Sequence, residues 1–181
     1  MFYTISSIAP LARQLHVEGK KIVLATGFFD LLHQEHINFL RKAKAAGDIL
    51  IVAVESDERA RKLKGEGRPI ETQLLRCQHL LDLELPAGPG PAGHNNIPAR
   101  PGPNGHMVDY VIYLPNDFDN PVAFENLISA VRPYVYAVSS HSDHLKNKKL
   151  LTEKYGGHLV VVHLHNPAVS TSQILNLQNH V

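Results

Sequence analysis

The sequence predicts an α/β chain: a doubly wound, parallel sheet of five strands with helices on both faces. Three observations predict it. Short apolar runs at 21–26, 49–54, 108–114, 134–138 and 158–164 alternate with segments of helical period. Each run is apolar nearly throughout, the mark of a strand covered on both faces. Between the first run and the helix after it stands Gly27, where a strand must turn sharply into a helix.

The elements follow in order. Residues 7–17 place Ile8, Leu11 and Leu15 on one helical face, ahead of the strand at 21–26. A helix at about 36–46 ends at Gly47-Asp48, which reads as a C-terminal glycine cap before the strand at 49–54. Residues 57–64 form a short helix and 71–85 a longer one. Helices at 122–131 and 143–155 separate the last three strands, and a final helix follows Ser170. Residues 86–106 hold six prolines and five glycines with few apolar side chains, and read as an exposed loop insertion rather than a lid. The length predicts a single domain over residues 1–181.

Ligands of such sheets bind beyond the carboxyl ends of the strands. There the chain reads Thr26-Gly27-Phe28-Phe29-Asp30-Leu31-Leu32-His33-Gln34-Glu35-His36. Two imidazoles and the unpaired amides of a helix start converge on one spot, which describes a phosphate pocket. The bland alternative is a pair of helix-capping histidines with no ligand.

Eighteen basic and seventeen acidic residues give a net charge of +1, so neither a nucleic-acid footprint nor a membrane surface is expected. The local cluster Arg59, Arg61, Lys62, Lys64 and Arg68 suits a small anion. The one cysteine, Cys77, forms no internal disulfide and points to a reducing, cytoplasmic setting. Twelve histidines raise the question of metal binding, but His163/His165 and His141/His144 are joined by no cysteine or carboxylate in a ligand pattern. They read as surface or loop residues, and no metal site is assigned.

The segment from Thr26 to His36 resembles the signature of the HxGH nucleotidyltransferases, a cytidylyltransferase-like, Rossmann-like superfamily. The likeness continues through Asp48 to Asp57, Arg61-Lys62-Leu63-Lys64-Gly65, Arg68-Pro69-Ile70, Val108-Asp109-Tyr110-Val111, Val131-Arg132-Pro133, Tyr155-Gly156-Gly157 and Ser170-Thr171-Ser172-Gln173-Ile174. It looks most like the adenylyltransferase domain of ADP-heptose synthases and glycerol-3-phosphate cytidylyltransferase. The resemblance implies transfer of AMP or CMP from ATP or CTP to a phosphorylated sugar or polyol, with Mg²⁺ assisting and pyrophosphate released. It implies catalytic roles for His33, His36 and Lys64. Nucleotide contacts would come from Gly27, Phe28, Phe29, His33, His36, Arg76, Ser170, Thr171 and Ser172. Acceptor contacts would come from Asp30, Lys64, Ser139, Ser140 and His141. A homodimer is implied as well.

Three positions depart from the family pattern. Glu35 stands at the motif glycine and Gln34 precedes it; Val138-Ser139-Ser140-His141 replaces Lys-Gly-Gly-Asp; Glu55 replaces an asparagine. A carboxylate at 35 suits the helix dipole yet brings negative charge toward a polyphosphate. Two readings therefore stand: a nucleotidyltransferase, and a catalytically impaired nucleotide- or metabolite-binding protein on the same fold.

Overall fold

Alternation along each strand decides the architecture. In the second strand Ile22 and Leu24 join one apolar cluster while Val23 and Ala25 join another. A sheet buried on both faces results. The computed structural model describes residues 2–84 and 105–164. Their elements run β1 (Phe2–Tyr3), α1 (Ile5–Val17), β2 (Ile22–Gly27), α2 (Gln34–Ala45), β3 (Ile49–Val54), α3 (Asp57–Lys64), α4 (Gln73–Leu81), β4 (Tyr110–Tyr113), α5 (Pro121–Val131), β5 (Val135–Ser139), α6 (Leu145–Lys154) and β6 (His158–His163).

The sheet is parallel throughout, in the order β1-β4-β3-β2-β5-β6. Helices α1 and α5 bury Ile8, Leu15, Leu127 and Ile128 on one face. Helices α2 and α4 bury Phe39, Leu40, Cys77 and Leu80 on the other. The chain leaves β2 toward β3 on one side and pairs it with β5 on the other, so a topological switch point opens at the carboxyl end of β2.

The doubly wound architecture agrees with the sequence reading, and three details correct it. The sheet has six strands rather than five, because β1 adds at the β4 edge. Two residues carry no period to read. The glycine after α2 is not a left-handed cap: Ala46 caps the helix in the right-handed region. Gly47 is small because a Cβ there would lie 2.6 Å from the Lys21 carbonyl oxygen. Helix α4 is shorter than 71–85, starting where the Thr72 hydroxyl accepts from Leu75 N. The helix placed after Ser170 and nearly all of the 86–106 insertion lie outside the described residues.

Below the sheet end, Lys44 donates to Asp109, both side chains fully buried, and Asp109 also accepts from Leu50 N. This pair ties α2 to β3 and to the entry of β4.

Candidate functional site

The turn after β2 is bent by two left-handed residues, Phe29 (φ 52°) and Leu31 (φ 50°). Each such non-glycine residue costs about 1–2 kcal/mol. The bend folds the Phe29 ring back over Gly27, where a Cβ would meet it at 3.0 Å. Buried Phe29 in turn packs edge-on to the His36 ring, centroids 5.4 Å apart. His33 and His36 stack at 3.8 Å with their planes 20° apart. His36 Nδ1 is buried without a hydrogen-bond partner among the described residues. Burial first, then the neighbouring His33 and Lys64, pull the His36 pKa down to about 3.

These residues line an open cleft of about 1380 Å³ over the carboxyl ends of the strands. Lys64 reaches it from α3, its amine 4.7 Å from the Phe28 ring centroid. Burial and Arg68 lower the Lys64 pKa, and Asp30 opposes them. The floor at the switch point is polar: Thr26 Oγ1 and Tyr136 OH are hydrogen-bonded at 2.7 Å. Glu55, 8% exposed, meets Arg59 Nε at 2.9 Å. Burial raises the Glu55 pKa, against the pull of Arg59 and Lys148.

The structure brings Gly27, Phe28, Phe29, His33, His36, Lys64, Ser139 and His141 to this cleft. Asp30, Arg76 and Ser140 are not among its lining residues. The Asp30 carboxylate, 1% exposed, accepts from the backbone of Ile70 (3.0 Å) and Glu71 (3.1 Å) and pairs with Arg68 at 2.8 Å. It fixes the 68–71 segment rather than facing a ligand. Arg76 is wholly buried. Its guanidinium donates to the carbonyls of Phe28, Glu55 and Glu71 and to Asp57, so it holds the turn after β2 from beneath. The sequence offers no sign of this, because a lone arginine on a helix reads alike facing a ligand or a carbonyl. Ser170, Thr171 and Ser172 lie outside the described residues.

Glu35, in the first turn of α2, sends Oε2 to His163 Nε2 at 2.7 Å. Lys42 Nζ sits 3.5 Å from the other ring nitrogen of His163. The histidine predicted to be a surface residue is half-buried at the end of β6 and engaged with α2; His165 lies outside the described residues, while His141 and His144 are exposed at the cleft rim. Among the described residues no three His, Cys, Asp or Glu side chains group to hold a metal ion. A Mg²⁺ held by the described residues alone does not fit that set.

Residues 24–85, which carry this turn, match the family model described as cytidylyltransferase-like. Over that span the chain is similar to the cytidylyltransferase-like family. The cytidylyltransferase-like span holds the histidine pair, Lys64, Asp30, Glu55 and Arg76 together. The chain is 40% identical over 129 residues to the bifunctional protein HldE of Wolinella succinogenes, covering 71% of this chain and 22% of that protein. With HldE of Aliarcobacter butzleri it shares 36% over 132 residues, 73% of this chain and 22% of the relative. With HldE of Geobacter metallireducens the figures are 30% over 159 residues, 87% and 27%. The chain thus spans about a quarter of the length of these relatives or less. A lipopolysaccharide core biosynthesis protein from Thermoplasma volcanium superposes with a TM-score of 0.58 at 23% identity, over 82% of this chain and 98% of that one. The pantoate-beta-alanine ligase of Francisella tularensis gives 0.58 at 12% identity, over 99% and 77%. Both show a common fold. No helix among the described residues is long and apolar enough to cross a membrane.

Proposed function

We propose that this chain transfers AMP or CMP from ATP or CTP to the phosphate of a phosphorylated sugar or polyol. One observation carries the reading: stacked His33 and His36 stand over a strained turn at the switch point, beside the Lys64 ammonium. An oxygen of the acceptor phosphate attacks the α-phosphorus; a new P–O bond forms as the bond to the bridging oxygen breaks. Pyrophosphate leaves with that oxygen and its electron pair, and an ionised acceptor phosphate has no proton to shed. The chain's task is then positioning and charge neutralisation. The imidazoles donate to phosphate oxygens, Lys64 supplies a point charge, and amides of the turn line the opposite side. The same reading makes the chain a cytoplasmic homodimer, which sedimentation tests.

Glu35 motivates the second reading, a nucleotide- or metabolite-binding protein without turnover. Its carboxylate is turned onto His163 Nε2, with Lys42 against the other ring nitrogen, and this favours the catalytic reading. Incubation with ATP and CTP, Mg²⁺ and a panel of sugar and polyol phosphates, read as pyrophosphate release, tests the proposal. Turnover with one triphosphate is expected, lost in His36→Ala. A folded protein that binds triphosphate and turns over none of the panel contradicts it.

A further inference from the structure

Besides Lys64 the cleft is lined by two ammoniums that the sequence does not mark, Lys148 and Lys154, and Lys154 is paired with Glu125. Lys148, on α6, lines the cleft with Glu55, Arg59 and Tyr136. Its Nζ donates to the Ser142 hydroxyl at 2.8 Å. Other lysines that contact acids do so closely: Lys44 with Asp109, Lys62 with Asp119, Lys154 with Glu125. Lys148 has no carboxylate within ion-pair distance among the described residues, and Glu55 is engaged by Arg59. A half-buried ammonium facing one neutral hydroxyl is under-compensated. Its depressed pKa, caused first by burial and resisted by Asp143 and Glu55, expresses the same deficit. An anion entering the cleft relieves it.

The surrounding backbone holds this arrangement. The loop after β5 is pinned where Ser140 N donates to the His163 carbonyl (2.9 Å) and Ser142 N to that of Ser139 (3.1 Å). Helix α6 then starts from a left-handed residue, His144 (φ 55°), and Thr152 Oγ1 donates back to the Lys148 carbonyl at 2.7 Å. Ser142 is thereby fixed as the partner that aims the amine.

We propose that Lys148 binds the phosphate monoester of the acceptor. It supplies from α6 a cation that the loop Val138-Ser139-Ser140-His141 does not carry. Lys64, over Phe28 beside the histidines, and Lys148, beside Glu55, then hold two phosphates from two sides of the β2 end. Neighbouring Glu55 offers a carboxylate oxygen to the organic part of the acceptor. The inference rests on the nucleotidyl-transfer reading, and its test separates the two.

The test titrates glucose 1-phosphate, glycerol 3-phosphate and unphosphorylated glycerol into the full chain, wild type and Lys148→Met and Lys148→Arg, by calorimetry. ATP and CTP with Mg²⁺ are titrated in parallel. The expected result is that a phosphate ester binds the wild type at least tenfold better than glycerol. Lys148→Met lowers that affinity about tenfold, Lys148→Arg restores most of it, and triphosphate affinity stays within about twofold. Unchanged ester affinity in Lys148→Met overturns the proposal. So does wild type that binds triphosphate but neither ester. Ester binding that needs Lys148 in a protein that binds neither triphosphate upholds the site and overturns the transferase reading.

Discussion

Glu35 and His163 join the start of α2 to the end of β6 through a contact of 2.7 Å, across 128 positions of sequence. The carboxylate that replaces the family's glycine is drawn sideways along the sheet end. His163 Nε2 meets one carboxylate oxygen, Asn38 Nδ2 approaches the other at 3.4 Å, and Lys42 lies against the far nitrogen of the imidazole. The pair is only partly exposed, so the contact is less screened than a surface pair.

Removing the partner isolates the charge. His163→Ala is expected to weaken triphosphate binding about tenfold, since a carboxylate that has lost its imidazole partner then stands beside the turn after β2. Glu35→Gly is expected to restore affinity in that background, at a stability loss of about 1 kcal/mol for glycine in a helix and a lost contact. Binding isotherms of the two single variants and the double give the coupling. Additive effects would show that the pair does not shield the site.

His36 gives a signed pH dependence. Its folded pKa, about 3, lies below the ordinary value of 6.5, so the unfolded chain binds more protons between them. Stability attributable to this group is present above pH 6.5 and is lost as pH falls toward 3. By pH 4.5 the loss is of order 2–3 kcal/mol. Denaturant midpoints of wild type and His36→Asn across this window check it, the variant losing less. A bound triphosphate adds negative charge beside the ring and raises its pKa, so binding near pH 6 is expected to take up protons. Calorimetry in buffers of different ionisation enthalpy reads that uptake.

Arg76 is a support rather than a ligand contact. Arg76→Met is expected to lower stability by about 3–5 kcal/mol, a fall in Tm of roughly 10 °C, because the carbonyls of Phe28, Glu55 and Glu71 lose their donor. Thermal unfolding without ligand measures it. An unchanged Tm with lost nucleotide affinity would return Arg76 to the phosphate role that the resemblance implies.

The strand-helix alternation and the turn at Gly27 were legible because they rest on local pattern: continuous apolar runs, a glycine and a helical period. The histidine pair follows from that turn, since its spacing and the start of α2 place both rings together. What the chain does not announce is brought in by topology. His163 and Lys148 reach the cleft only because β5 pairs with β2 and β6 with β5 in the parallel order, and a histidine or lysine in a polar helix or strand end carries no mark of that. Asp30 and Arg76 show the converse. Charge beside a motif suggests a ligand, yet both side chains are spent on backbone groups that hold the turn in shape.

The central claim is that a polyanion seats against the β2–α2 turn between the imidazoles and the amides. Calorimetric titration of the full chain with CTP and with ATP, each with Mg²⁺, tests it most directly when run beside His33→Ala and His36→Ala. One triphosphate is expected to bind the wild type with one equivalent, and each variant to lose at least tenfold in affinity while keeping its fold. Equal binding in wild type and both variants, or no binding to folded wild type, would contradict the account.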